Sequence, residues 1–438
     1  MPENLPPAAP PPGVPISPLD QQHEPKRGWV RWLVCGLASC GLLAVLSLGA
    51  VGYLGWTTWQ KNQPYLSGYQ GIAPASLPGV GPFSEVTRYP TIEQAAELAV
   101  GDLDDDGTTE LIAVVGSQVI GYSNAGVAEY KFSHEFTVLP SGGAGNPFAS
   151  IAAPIMTPSL EVASLGGTSA LIMGGMADST AYVYRSDGTL AWSSDVRGAP
   201  VECIKAADLD GGGDDEVLIG RGSQMGLACL DSTGADKWTY GTALDPAAIA
   251  VADGDGDGSP EIYLSPAGGM LEIVSANGAK LGSWSTWQFG ADIVTDDLDG
   301  DGVDEFVLAG TDVGGASGSG LNVDLVGFDA RGLENWRNTL GQGLPGLSGS
   351  ADVTAADLDN SGTKAWVVAG TDGTVRVYDI DGLEIGRHGM GDSITALAVE
   401  PAEATGQLPT VWVSIGTEII GLQWSQWVVD MGYGAGTP

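Results

Sequence analysis

The sequence predicts an all-β protein, a seven-bladed β-propeller preceded by a single transmembrane helix. Three observations carry this reading. A unit of apolar strand, acidic turn and apolar strand returns along the chain with a basic spacing of about 45 residues. Each unit is followed by a second hairpin pattern with Gly in its turn and usually a Trp, which completes a four-stranded meander. Ahead of the repeats, Trp32–Trp56 forms a run of 25 residues without a charge. That length crosses a hydrocarbon core of about 30 Å as a helix.

Residues 1–28 are Pro-rich and end in Lys26 and Arg27, as an extended, disordered tail would. Residues 29–56 are assigned to the transmembrane helix. Lys26, Arg27 and Arg31 precede the apolar run and only Lys61 follows closely. The positive-inside bias therefore places the N-terminus in the cytoplasm and the propeller in the periplasm or outside the cell. A cleaved signal peptide would need a shorter apolar core, and this one ends in the aromatic anchors Tyr53 and Trp56. Leu37-Ala38-Ser39-Cys40 is similar to a lipoprotein cleavage box, but the apolar run continues well beyond Cys40. Residues 57–83 read as a linker rich in Pro and Gly, 84–430 as the propeller and 431–438 as a flexible C-terminal tail.

Five copies carry the acidic turn, with first aspartates Asp102, Asp208, Asp253, Asp297 and Asp357. The intervals of 106, 45, 44 and 60 residues imply a further unit inside the first. That unit is LEVASLGGTSALIMGG from Leu160, which keeps the flanking strands and lacks the acids; a last degenerate copy from Ile394 brings the number to seven. The Trp residues of VYRSDGTLAW, LACLDSTGADKW, LEIVSANGAKLGSW and LVGFDARGLENW are expected to pack blade against blade. Closure of the ring is expected from a strand near Val86–Tyr89 pairing with the last blade near Gln423–Val429.

A formal net charge of −37, from 54 acidic against 17 basic residues, disfavours nucleic acid and anionic surfaces. A hydrophobic fraction of 43% argues against a disordered acidic chain. What remains is a protein that handles cations. Asp side chains at alternate positions of a tight turn bring several hard oxygens around one point, which suits Ca2+. The first loop offers Asp102, Asp104, Asp106, the carbonyl of Thr108 and Glu110. The loop at Asp253 offers Asp253, Asp255, Asp257, the Ser259 carbonyl and Glu261, and the loop at Asp297 offers Asp297, Asp299, Asp301, the Val303 carbonyl and Glu305. A fourth, weaker site is expected from Asp208, Asp210, Asp214 and Glu216, where Gly212 replaces the third acid. The loop at Asp357 keeps only Asp357 and Asp359, with Ser361 and Ala365 at the other acid positions. An EF-hand is excluded, because its bidentate Glu at loop position twelve is here Ala113, Leu264 or Leu308, and the flanks alternate as strands.

Loops with acids at positions one, three, five and nine resemble the FG-GAP/VCBS repeats of integrin α-subunit propellers and of many bacterial surface proteins. The resemblance covers about residues 85–430. It implies seven blades, with calcium in the hairpin between the first two strands of certain blades. It implies no particular ligand, since one fold hosts many tasks. The functional expectation is a membrane-anchored, non-catalytic scaffold for adhesion that binds a protein or glycan outside the membrane. Its recognition surfaces would be the Gly-rich insertions Ser141–Ala149 and Gly314–Leu321. The alternatives are an envelope assembly factor like the quinoprotein-type propellers, and a carbohydrate-active lyase or glycosidase whose carboxylate pair would be hidden among so many acids. Only three His occur, at 23, 134 and 388, and no nucleophile or metalloprotease motif accompanies them. Cys203 and Cys229 fall on the first and third strands of one blade, so they are expected as buried free thiols.

Overall fold

A computed structural model describes residues 82–424 apart from 124–127, 135–158, 175–178, 196–198, 243–244, 267–268, 287, 313–321, 330–331, 343–351, 371 and 404–405. The expected span 29–56, the Pro-rich tail, most of the linker, the C-terminal tail and both Gly-rich insertions lie outside the described residues. Among the described residues no helix is long and apolar enough to cross a membrane.

Among the described residues, twenty-eight strands form seven four-stranded antiparallel sheets. The first strand, β1 (Phe83–Pro90), belongs to the last sheet. Blade 1 comprises β2 (Ala95–Gly101), β3 (Glu110–Val115), β4 (Gln118–Tyr122) and β5 (Ala128–Ser133). Blade 2 comprises β6 (Ser159–Ser164), β7 (Ser169–Gly174), β8 (Thr180–Tyr184) and β9 (Leu190–Asp195). Blade 3 follows as β10 (Val201–Ala207), β11 (Glu216–Arg221), β12 (Gly226–Leu230) and β13 (Asp236–Tyr240). Blade 4 contains β14 (Pro246–Ala252), β15 (Glu261–Pro266), β16 (Met270–Ser275) and β17 (Lys280–Ser285). In blade 5 the strands are β18 (Gln288–Asp296), β19 (Glu305–Asp312), β20 (Asn322–Phe328) and β21 (Glu334–Gln342). Blade 6 has β22 (Asp352–Ala356), β23 (Ala365–Gly370), β24 (Thr374–Tyr378) and β25 (Glu384–Gly389). Blade 7 is β26 (Ile394–Glu400), β27 (Thr410–Ile415) and β28 (Glu418–Trp424), completed by β1.

The second strand of each blade is buried along both faces, as in LIAVV of β3 or VLIG of β11, because it has a sheet on either side. Residues of opposite parity then serve opposite neighbours. Leu111, Ala113 and Val115 pack with Trp412 and Ile419 of blade 7, while Ile112 and Val114 pack with Leu160, Leu171 and Met173 of blade 2. Seven such cores, each shared by two adjacent blades, run round the ring and return to its start. The first strands touch their neighbours in the cycle β2, β6, β10, β14, β18, β22, β26 and back to β2, so they form the innermost layer.

Closure uses the expected strand in a shifted register. β1 pairs antiparallel with β28, Phe83 opposite Trp424 and Pro90 opposite Glu418, so the partner segment is 418–424 rather than 423–429. A bulge at Glu85/Thr87 and the edge-on contact of Phe83 with Trp424, 5.1 Å between ring centres, set this register. Cys203 and Cys229 are free and buried in the core shared by blades 3 and 4. Burial pushes the Cys229 thiol up to about 12, so neither behaves as a reactive thiolate.

Candidate metal centres

Each acidic loop joins the first two strands of its blade and is built around two residues in the left-handed region. Position four is Asp105, Gly211, Gly256, Gly300 or Asn360, with φ between 57° and 80°, and position six is Gly in every copy, with φ from 86° to 90°. Gly, Asn and Asp are the residue types that tolerate this region. The first aspartate then accepts two loop amides. Asp102 takes the N–H of Asp106 at 3.0 Å and of Gly107 at 2.9 Å, and Asp208, Asp253, Asp297 and Asp357 repeat the pattern.

The terminal glutamate is placed by the residue at position two. Leu103, a core residue, donates its N–H to Glu110 Oε2 at 2.8 Å; Leu209, Gly254 and Leu298 do the same for Glu216, Glu261 and Glu305. One oxygen is thereby fixed and the other is left for the loop. Burial, and then the Asp102, Asp104 and Asp106 carboxylates, push Glu110 up to about 7 against the opposing effect of the Leu103 amide. Glu261 and Glu305 are raised for the same reasons. Crowded carboxylates that resist ionisation are what a divalent cation relieves.

Four sets of carboxylate oxygens converge to within 4.8 Å of one another: Asp102, Asp104, Asp106 and Glu110; Asp208, Asp210 and Glu216; Asp253, Asp255 and Glu261; Asp297, Asp299 and Glu305. The donor set is hard oxygen throughout and fits Ca2+ in blades 1, 4 and 5. Asp257 and Asp301, expected as ligands, stand outside these sets and cap the amides of Ser259 and Val303 at 2.8 and 2.9 Å. Thr108 likewise donates its N–H to Asp106 at 2.8 Å.

Asp214 departs from expectation. Its Oδ1 accepts the N–H of Gly167 in blade 2 at 2.8 Å, so it ties two blades together instead of joining Asp208, Asp210 and Glu216. The adjacent position works in the same direction round the ring: Asp215 accepts from Ser164 at 2.7 Å, Asp304 from Asp253 at 2.8 Å, and the Lys364 amide donates to Leu298 at 2.9 Å. Sequence reasoning missed one functional residue here, Lys237 of β13, whose ammonium bonds Asp210 at 2.9 Å and Glu216 at 2.8 Å. The available signal was a lysine directly before the repeat Trp, present in that copy and absent from the other Trp-bearing copies.

A second acidic group lies on the innermost strands. Glu97, Asp292 and Asp352 stand immediately before the apolar residues Leu98, Ile293 and Val353 of β2, β18 and β22. Burial, then Asp292, pushes Asp352 up to about 7; burial pushes Asp292 up to about 6; Glu97 is raised well above its usual range by burial and by Asp352 and Asp292. One layer further along, Lys205 pairs with Glu161 at 2.6 Å between blades 3 and 2.

The family described as the lambda-carrageenase beta-propeller domain matches residues 171–251. No curated protein matches the sequence. Among solved structures, crystals of BBS1N in complex with ARL6DN, soaked with mercury or lead, match at 15% identity over 79% of this chain and 98% of theirs, with TM-scores of 0.57 and 0.55. BamB from Moraxella catarrhalis matches at 13% identity over 78% of this chain and 99% of its own, with a TM-score of 0.47. At such identities the BBS1N likeness is one of fold.

Proposed function

We propose that this chain is a calcium-stabilised propeller, tethered by residues 29–56 and displayed outside the membrane, that binds a protein or glycan as a non-catalytic scaffold. The observation that carries the reading is the convergence of carboxylate oxygens to within 4.8 Å in blades 1, 4 and 5, where no ion pair to Asp102, Asp253 or Asp297 exists among the described residues. Each cation would offset part of the repulsion among its ligands and lock one hairpin, so metal binding is folding energy rather than chemistry. The FG-GAP/VCBS resemblance of the loops points the same way. The family match over 171–251 favours a glycan among the possible ligands, since that domain is named for a polysaccharide-directed enzyme.

The test is to present the calcium-loaded protein to a glycan array and to crosslink it in intact cells. Retention of an unaltered glycan or capture of an envelope protein supports the scaffold. Shortened glycan products would overturn it in favour of a lyase or glycosidase. Protease accessibility of the propeller in intact cells checks the topology.

A further inference from the structure

The four carboxylate sets are not equivalent, and blade 3 differs from the rest in three independent ways. Its loop carries Gly212 where blades 1, 4 and 5 have Asp106, Asp257 and Asp301. Its additional acid, Asp214, accepts the N–H of Gly167 of the neighbouring blade instead of joining Asp208, Asp210 and Glu216. A protein cation fills the gap: Lys237 Nζ lies 2.9 Å from Asp210 Oδ2 and 2.8 Å from Glu216 Oε1, two of the three carboxylates that converge there.

The lysine reaches this point because of the strand bulge that recurs in the outer hairpins. Pairing runs Cys229 opposite Trp238 and then Leu230 opposite Asp236, which leaves Lys237 as the extra residue. The same extra position is Glu129 in blade 1, Ala191 in blade 2, Leu281 in blade 4, Asn335 in blade 5 and Ile385 in blade 6, none of them cationic. A bulge re-aims one side chain, and in blade 3 alone among these it aims an ammonium back along the sheet at the loop. Glu216 is buried and Lys237 is its ion-pair partner, so the lysine supplies a positive charge where the loop's carboxylates converge.

We infer that Lys237 is the resident cation of the blade 3 loop and stands in place of the metal, so that this loop is stapled without calcium. The inference rests on the calcium reading of the other loops. An ammonium and a divalent ion cannot share the Asp210 and Glu216 oxygens, since the like charges would sit within a few ångströms. Blade 3 thereby keeps its staple when calcium is withdrawn, while blades 1, 4 and 5 lose theirs.

The experiment counts calcium ions bound to the full chain in detergent, by titration calorimetry and native mass spectrometry, for the wild type, Gly212→Asp, Lys237→Met and the double variant. The wild type and Gly212→Asp are expected to bind three ions, and the double variant four, because the third acid is restored and the lysine removed. Four ions in the wild type or in Gly212→Asp overturns the inference, as does a double variant that gains none. Melting in excess chelator supplies a readout that needs no metal: Lys237→Met is expected to melt lower than the wild type by about 2 °C, and unchanged melting overturns the staple. A wild type that binds no calcium overturns the calcium reading instead, and the chelator melt still decides the role of Lys237.

Discussion

Trp238 lies over Gly278 of the following blade, where an added Cβ would come within 2.8 Å of the indole ring, and its Nε1 donates to the Ala276 carbonyl at 3.0 Å. The arrangement repeats. Trp192 covers Gly234 and donates to Ser232 at 3.2 Å, Trp336 covers Gly382 and donates to Ile380 at 2.9 Å, and Trp284 covers Gly332. Each docking glycine also adopts a positive φ, 83° at Gly278, in the turn between the third and fourth strands. Turn geometry and ring docking therefore demand the same residue. Gly278→Ala should cost stability on both counts, about 2–4 kcal/mol in sum, from backbone strain and overpacking. Denaturant unfolding of Gly278→Ala beside Gly258→Ala separates the two, since Gly258 has a φ of 86° with nothing near its would-be Cβ. Equal losses would remove the docking contribution from the account.

Calcium should raise stability by mass action. With dissociation constants of about 0.1–1 mM, as in extracellular modules, 10 mM calcium contributes about 1.4–2.7 kcal/mol per site. Thermal melts in calcium and in chelator should therefore differ widely, and Asp253→Asn or Asp297→Asn should each remove roughly a third of that difference. Asn keeps the shape of the side chain while losing the charge, so the loop frame is disturbed less than by Ala. A shift untouched by either substitution would place the calcium elsewhere.

The repeats, the four-stranded blades and the number of blades were all readable because each copy alternates apolar and polar residues around a turn with fixed acids and glycines. What spacing could not give is side-chain traffic between segments remote in sequence. Lys237 reaches Asp210 and Glu216 only once β11, β12 and β13 are paired. Asp214 matches the spacing of a ligand, yet the proximity of the Gly167 amide in blade 2 claims it. The closing strand was identifiable from its composition, but its register depends on Phe83 finding Trp424 and on a bulge that no local pattern announces. The innermost acids had a visible cue: Glu97, Asp292 and Asp352 stand immediately before the apolar start of three first strands.

Those innermost acids set a pH dependence of definite sign. Asp352 is pushed from 3.8 up to about 7, chiefly by burial and then by Asp292, so the folded chain prefers it protonated. Its favourable contribution is fully present below about pH 4 and is lost as the pH rises through about 7. Asp352→Asn keeps an oxygen for the Leu397 amide and carries no charge. In saturating calcium the variant should melt about 2–4 °C above the wild type at pH 8 and close to it at pH 5. A difference that does not grow between those pH values would contradict the assignment.

A histidine of blade 6 that packs against the closing strand carries the opposite sign. His388 of β25 is 3% exposed, its Nδ1 has no hydrogen-bond partner, and its ring meets Phe83 edge-on at 6.0 Å. Burial lowers its pKa below 6.5, so its contribution is present above that pH and is lost as the pH falls through the lowered value. His388→Leu should therefore gain stability relative to the wild type as the pH drops from 7 to 5, the reverse of the Asp352 trend. Phe83→Ala acts at any pH, because it removes the side chain that β1 wedges between His388 and Trp424. Its cost should be about 3–5 kcal/mol. Hydrogen exchange locates the effect: amides of β28 from Ile419 to Leu422, which pair with β1, should lose protection before those of β11 in blade 3. Uniform loss across both strands would mean that the ring opens all at once and that closure is no weaker than any other interface.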